Sequence, residues 1–279
     1  MQLQLRLVAS KLTGMKQLLA MLLLIVGLPA MALAQASISS SPVADENARK
    51  AKTLLDEAIA ALGGPAYMNI QDIAQQGRTY SFHMGQSNSS GLQFWRIYKY
   101  PDKDRYELTK QRDIVELFNG DQAVEVTYKG VHKQDPKDVK NYQRRRMYAL
   151  DWVLRHWINQ PGVALFYENQ TVAEGKTVDQ VTIMNADNDA VTLYLDVDTH
   201  LPVKKSFSWR DPTDKQRNTE EESYDNYRPT QGIMTPYTVT RYYNGDMSNQ
   251  RFLTSVQYNQ DPADSLFDTL HATLPSKKN

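Results

Sequence analysis

The sequence predicts an α+β protein, mainly β and antiparallel, and three observations carry that prediction. From Asp72 to Tyr258, short β-branched and aromatic runs alternate with turn signals every eight to twelve residues, the spacing of an antiparallel sandwich or barrel. Two Asn-Gly pairs, Asn119-Gly120 and Asn244-Gly245, fall where tight hairpins need positive φ angles. Helical periodicity is confined to two stretches, one ahead of the β region and one in its middle.

The first residues belong to export rather than to the fold. Lys11 and Lys16 precede an apolar run from Leu18 to Leu28, Pro29 ends it, and Ala32-Leu33-Ala34 offers small residues where a signal peptidase cuts. Residues 1–34 are expected to be a signal peptide cleaved after Ala34, starting at Met1 or Met15, and the protein to be periplasmic. The apolar run is shorter than the roughly 20 residues of a membrane-spanning helix, so no transmembrane segment is expected in the mature chain. Residues 35–44, with Ser39-Ser40-Ser41-Pro42, read as a flexible linker. That leaves 45–272 as a single domain and 273–279 as a C-terminal tail.

Composition narrows the function classes. The chain has no cysteine, which excludes lipid attachment at the cleavage site and requires a core that holds the fold without disulfides. Basic and acidic residues balance at 32 each, and Arg6, Lys11 and Lys16 leave with the signal, so the mature protein is mildly acidic. It lacks the electrostatic footprint of a nucleic-acid binder.

In chain order, Ala51, Leu54, Leu55, Ala58, Ile59 and Leu62 recur at the spacing of one helix face, with Asp45 as N-cap and Gly63-Gly64-Pro65 as stop. Asn119-Gly120 joins strands over 113–118 and 122–128, and Asn244-Gly245 joins strands over 233–243 and 250–259. Between them Val191, Leu193, Leu195 and Val197 alternate with polar residues, the period that turns one set inward. Leu201-Pro202 begins the next strand. The second helical stretch lies between Pro136 and Gln160, where Met147, Leu150, Leu154, Trp157 and Ile158 line one face. Arg144, Arg145 and Arg146 precede that stripe and read as a solvated face, with an anion or membrane contact as the alternative.

No catalytic or metal motif emerges. The histidines, His83, His132, His156, His200 and His271, show no paired metal-ligand spacing, and no serine sits in a G-x-S-x-G turn. Asn185, Asp187 and Asp189 imitate the first ligands of a calcium loop, but Ala190 stands where that loop needs glycine; a polar hairpin turn explains them more simply. Glu220, Glu221 and Glu222 read as an edge or solvated strand start rather than a catalytic pair. No enzyme activity, cofactor or metal is expected.

The remaining chemistry is aromatic: 16 Tyr, 7 Phe and 4 Trp, with Phe94, Trp95, Tyr98 and Tyr100 close together on one predicted strand. These residues either pack an ordinary core or line an apolar pocket between a curved sheet and the two helices, where an acyl chain would fit. The inward faces nominate Phe94, Tyr98, Leu154, Trp157, Leu193 and Leu195 as the lining.

Several short words carry a family resemblance: Ala61-Leu62-Gly63-Gly64, Tyr100-Pro101-Asp102-Lys103 with Arg105, Phe118-Asn119-Gly120, Leu193-Tyr194-Leu195-Asp196 with Leu201-Pro202-Val203-Lys204, and Tyr227-Arg228 leading to Gly232-Ile233 and Pro236, then Asn259 and Phe267. With these words and this order of elements, the chain resembles the bacterial outer-membrane lipoprotein-sorting protein family, the LolA-like periplasmic proteins. The resemblance implies an incompletely closed antiparallel β-barrel whose covering helices enclose an apolar cavity that shields lipoprotein acyl chains. Three functions are carried forward: a periplasmic binding protein or chaperone for a lipid or lipidated protein, an envelope protein-interaction or stress-sensing module, and a hydrolase using dispersed carboxylates.

Overall fold

In the computed structural model, residues 42–275 are described apart from residues 84 and 89. The expected signal peptide with its cleavage site after Ala34, residues 35–41 of the expected linker and residues 276–279 of the tail lie outside the described residues.

Helix α1 spans Pro42–Leu62. It starts inside the stretch read as linker, since proline suits a first helical turn. Asp45, expected to cap the helix, instead lies in its first turn, where a carboxylate still complements the helix dipole. Ala51, Leu54, Leu55, Ala58 and Leu62 form the buried face. Gly63 ends the helix at φ +127°, and a Cβ there would lie 2.5 Å from the Gly232 carbonyl oxygen. A single helical turn, α2 (Pro65–Met68), follows.

The strands are β1 (Asp72–His83), β2 (Gln86–Ser87), β3 (Leu92–Lys99), β4 (Lys103–Leu108), β5 (Ile114–Asn119), β6 (Gln122–Thr127) and β7 (Gly130–Lys133). After a helical crossing come β8 (Ala164–Ala173), β9 (Lys176–Met184), β10 (Ala190–Asp196), β11 (Pro202–Arg210), β12 (Arg217–Thr230), β13 (Ile233–Tyr243) and β14 (Asp246–Tyr258). They form one antiparallel sheet in the order 7-6-5-4-3-1-14-13-12-11-10-9-8, with β2 pairing β1. Two meanders therefore meet where β14 returns to β1, and β7 and β8 are left as edges, so the sheet is not closed. Next to that seam β1 bulges between Gln76 and Gly77. A Cβ on Gly77 would meet the Phe252 carbonyl oxygen at 2.1 Å, so only glycine admits this approach.

The two Asn-Gly signals resolve differently. Asn244 and Gly245 both take positive φ, 51° and 89°, between the paired Tyr243 and Asp246. At the other site Asn119 stays in β5, paired with Gln122, and Gly120 alone of the pair turns to positive φ. The Asn119 side chain donates instead to the Phe267 carbonyl at 3.2 Å.

The middle helical stretch is not one helix but two, α3 (Pro136–Met147) and α4 (Leu150–Arg155), followed by a 3-10 turn at Trp157–Asn159. The break falls at Tyr148, whose ring stacks on Phe207 at 4.2 Å and whose carbonyl accepts from Lys205 Nζ at 2.6 Å. These contacts hold Tyr148 against β11, and Ala149 leaves it in an extended conformation. The segment runs from edge strand β7 to edge strand β8.

The main core packs α1 and α4 on β9, β10 and β11 through residues such as Leu55, Val153, Ile183, Val191 and Phe207. A smaller core lies where Ala272 and Leu274 cover Val115, Leu117, Val124 and Val126. Ordered packing therefore runs past residue 272, into the stretch read as tail. Arg105 Nη2 fixes that stretch by donating to the Thr273 carbonyl at 3.3 Å. Among the described residues no helix is long and apolar enough to cross a membrane.

Candidate ligand-binding cavity

The interior is divided. One part, under α1 and α4, is filled by the main core; another, walled by β1, β3, β4 and β12 to β14 and crossed by α3, holds a cavity of about 1400 Å³. Exposed Lys137 and Lys140 of α3, and Pro212 and Asp214 of the β11–β12 turn, stand at its rim.

Of the six residues nominated from inward faces, Tyr98 lines this cavity. Leu154, Trp157, Leu193 and Leu195 come together in the main core, each no more than 2% exposed. Phe94, fully buried, stacks on Tyr106 at 5.2 Å, and Tyr106 takes the place on the wall.

Wall polarity changes along the strands. From one end to the other, β1 presents Ile73, Gln75, Thr79 and Ser81; β14 beside it presents Tyr258, Leu253, Arg251 and Asn249; β13 presents Ile233, Thr235, Val239 and Arg241. These three strands read from apolar to charged or polar in the same direction, whereas β3 and β4 read the other way, from Tyr98, Arg96 and Asp104 to Leu92 and Leu108. At the apolar end Leu62, Tyr67 and Ile70 add to the wall.

The wall carries several charged side chains, which the sequence reading missed. Six arginines face the cavity: Arg96, Arg144, Arg145, Arg146, Arg241 and Arg251. Arg96 binds Asp104 through Nε at 2.9 Å and Nη2 at 2.7 Å, and Tyr142 donates to the same carboxylate at 2.9 Å. Arg144 donates to Glu220 at 3.0 Å with its guanidinium 3.4 Å from the centre of the Trp209 ring. Arg146 lies over Tyr98 and donates to Asp151 at 3.1 Å. Burial works against the Asp151 charge, but Arg146 and the Tyr100 hydroxyl outweigh it and hold the carboxyl at about 2. Arg241 donates to Glu222 at 2.9 Å, and Lys205 reaches the other Glu222 oxygen at 3.2 Å.

The solvated readings of Arg144–Arg146 and of Glu220–Glu222 are thereby corrected. Arg144 and Arg146 are half-buried and paired with carboxylates. Strand alternation turns Glu220 and Glu222 inward while Glu221 pairs with Lys204 outside. The signal was present: Arg241 shares the phase of Ile233, Thr235 and Val239 on β13.

Glu116 also lines the cavity and pairs with no arginine among the described residues. Burial pushes its carboxyl up to about 7, with help from Glu125, directly opposite on β6, and from Asp104. Asn185 accepts backbone N–H groups of Asp187 and Asp189 at 3.0 and 2.9 Å, so the calcium-like spacing builds a hairpin turn.

No family model and no curated protein matches the chain. Among solved structures, a DUF1329 family protein from Desulfovibrio piger is similar over 81% of this chain and 99% of its own, at 11% identity and TM-score 0.55. A domain named for outer membrane lipoprotein sorting, from Vibrio parahaemolyticus, is similar over 80% of this chain and 98% of its own, at 12% identity and TM-score 0.50. A LolA superfamily protein from Nitrosomonas europaea superposes less closely, at 12% identity and TM-score 0.47 over 78% of this chain and 97% of its own. At these identities the likeness is one of fold, and the first two structures establish it: a large, unclosed antiparallel sheet with covering helices, as the family resemblance implied.

Proposed function

We propose that this protein is a periplasmic carrier that binds a lipid, or the lipid of a lipidated protein, in the cavity between α3 and the sheet. The parallel change from apolar to charged wall along β1, β14 and β13 carries this reading. That gradient complements an amphiphile, whose chain gains about 0.8 kcal/mol per buried CH₂ group and whose head needs polar partners. The fold shared with a domain named for lipoprotein sorting supports the same class, and the expected signal peptide supplies export.

Binding rather than catalysis suits the inner carboxylates. Asp104, Asp151, Glu220 and Glu222 are each tied to an arginine, which favours a fixed wall over a proton-transfer role. A second reading, docking of an envelope partner protein, draws on edge strand β8, where Phe166 and Val172 are exposed. Glu220 and Glu222 take no part in such a surface.

Native mass spectrometry of the purified mature protein, followed by organic extraction, tests the carrier reading. Copurified lipid, or saturable uptake of added fatty acid, is the expected result. A lipid-free protein that ignores added amphiphiles overturns it, and recovery of one envelope protein by crosslinking through β8 would then favour the docking reading.

A further inference from the structure

The inward arginines divide into committed and uncommitted ones. Arg96, Arg144 and Arg146 are each held by their own carboxylate. Arg241 has Glu222, but that carboxylate is already shared with Lys205 and with the Tyr224 hydroxyl at 3.0 Å. Arg145 and Arg251 both line the cavity, and neither makes a hydrogen bond or ion pair among the described residues. Arg241 presses on both: burial first, then Arg241, brings Arg145 down to about 10 and lowers Arg251 as well. The wall has further donors in excess. Arg146 Nε and Trp209 Nε1 are buried with no acceptor among the described residues.

We propose that Arg145, Arg241 and Arg251 seat an anionic head group, a carboxylate or phosphate, at the charged end of the amphiphile cavity, an inference that rests on the carrier reading above. The three side chains come from α3, β13 and β14 and line the same cavity, with Arg241 close enough to act on both Arg145 and Arg251. Arg251 lies two residues beyond Leu253 on β14 and directly opposite Val239 on β13, where the apolar wall gives way to the charged one. An oxyanion supplies what this place needs, negative charge and several acceptor lone pairs matched to guanidinium donors. A neutral head would leave Arg145 and Arg251 with only Glu220 and Glu222 as counter-charges, carboxylates already bound to Arg144 and Arg241. Free phosphate satisfies the same chemistry without using the apolar wall, so the test separates the two sources.

Calorimetric titration of the full mature protein with palmitate, hexadecanol and inorganic phosphate, in wild type and in R251Q and R145Q, decides the matter. Palmitate and hexadecanol share a chain length and differ in head charge. The expected result is palmitate bound at least about tenfold more tightly than hexadecanol, with each variant weakening palmitate by about tenfold and hexadecanol by less than about twofold. Equal affinity for the two in wild type, or equal weakening of both by the variants, overturns the anionic seat while leaving the carrier reading standing. Failure of both to bind overturns the carrier reading; phosphate bound by wild type and lost in R251Q then retains the seat for a free oxyanion, and no phosphate binding overturns the seat too. Should R251Q not fold by circular dichroism, R145Q on α3, which disturbs no strand, gives the same comparison.

Discussion

Glu222 and Arg241 stand directly opposite each other in the β12–β13 ladder, and their side chains meet at 2.9 Å inside the cavity. The pair shows how the inner wall is built: a curved antiparallel sheet turns alternate residues inward, and charge at inward positions is tolerated because a neighbouring strand supplies the counter-charge. Lys205, 2% exposed, depends on the same carboxylate.

E222Q is therefore expected to leave buried Lys205 and half-buried Arg241 without their acid and to cost about 3 kcal/mol. E221Q, one residue away but on the outer face beside Lys204, is expected to cost less than about 1 kcal/mol. Urea unfolding of both variants checks the contrast, and equal losses would contradict the inward assignment of Glu222.

Arg251 presents the opposite case. Burial and the nearby Arg241 and Arg96 lower its pKa, so its charge is a liability in the unliganded protein. R251Q is expected to raise the unliganded stability by about 1 kcal/mol, measured as a higher denaturation midpoint with an unchanged slope. A lower midpoint would mean that Arg251 holds the fold.

Glu116 sets a pH dependence with a definite sign. Its carboxyl is raised to about 7 in the fold, so the folded state holds a proton that the unfolded chain releases near pH 4 to 5. Its penalty is absent at pH 4, grows as pH rises toward 7, and reaches at most about 3 kcal/mol above that. E116Q is expected to be more stable than wild type at pH 8 and equal to it near pH 4, read from thermal melts across that range.

Asp151 behaves in the opposite sense. Arg146 and Tyr100 hold it at about 2, so its contribution is present above about pH 4 and is lost as pH falls through 2. D151N is expected to cost about 2 kcal/mol at pH 7, and that difference should narrow as unfolding is followed down to pH 2. A constant difference would detach the effect from the Asp151 charge.

Much of the fold was legible because it rests on local chemistry. The face Ala51, Leu54, Leu55, Ala58 and Leu62 needs only helical period, and the Asn244-Gly245 hairpin needs only φ preference. The split of α3 from α4 was not legible, because Tyr148 is held by Phe207 and Lys205, more than fifty residues away in sequence. The cavity was misread for a related reason. Leu193 and Leu195 do face inward, but inward there means a filled core under α1, whereas the hollow lies against β13 and β14, where the inward phase carries Arg241 and Arg251. Composition suggests apolar lining; alternation within each strand would have located the arginines.

A crystal structure of the mature protein with palmitate bound tests the central claim most directly. The account predicts the acyl chain along Ile73, Leu253 and Ile233, with the carboxylate about 3 Å from guanidinium nitrogens of Arg145, Arg241 or Arg251. A chain bound outside this cavity, or one lying in it with its carboxylate at the Ile73 end, would contradict the account.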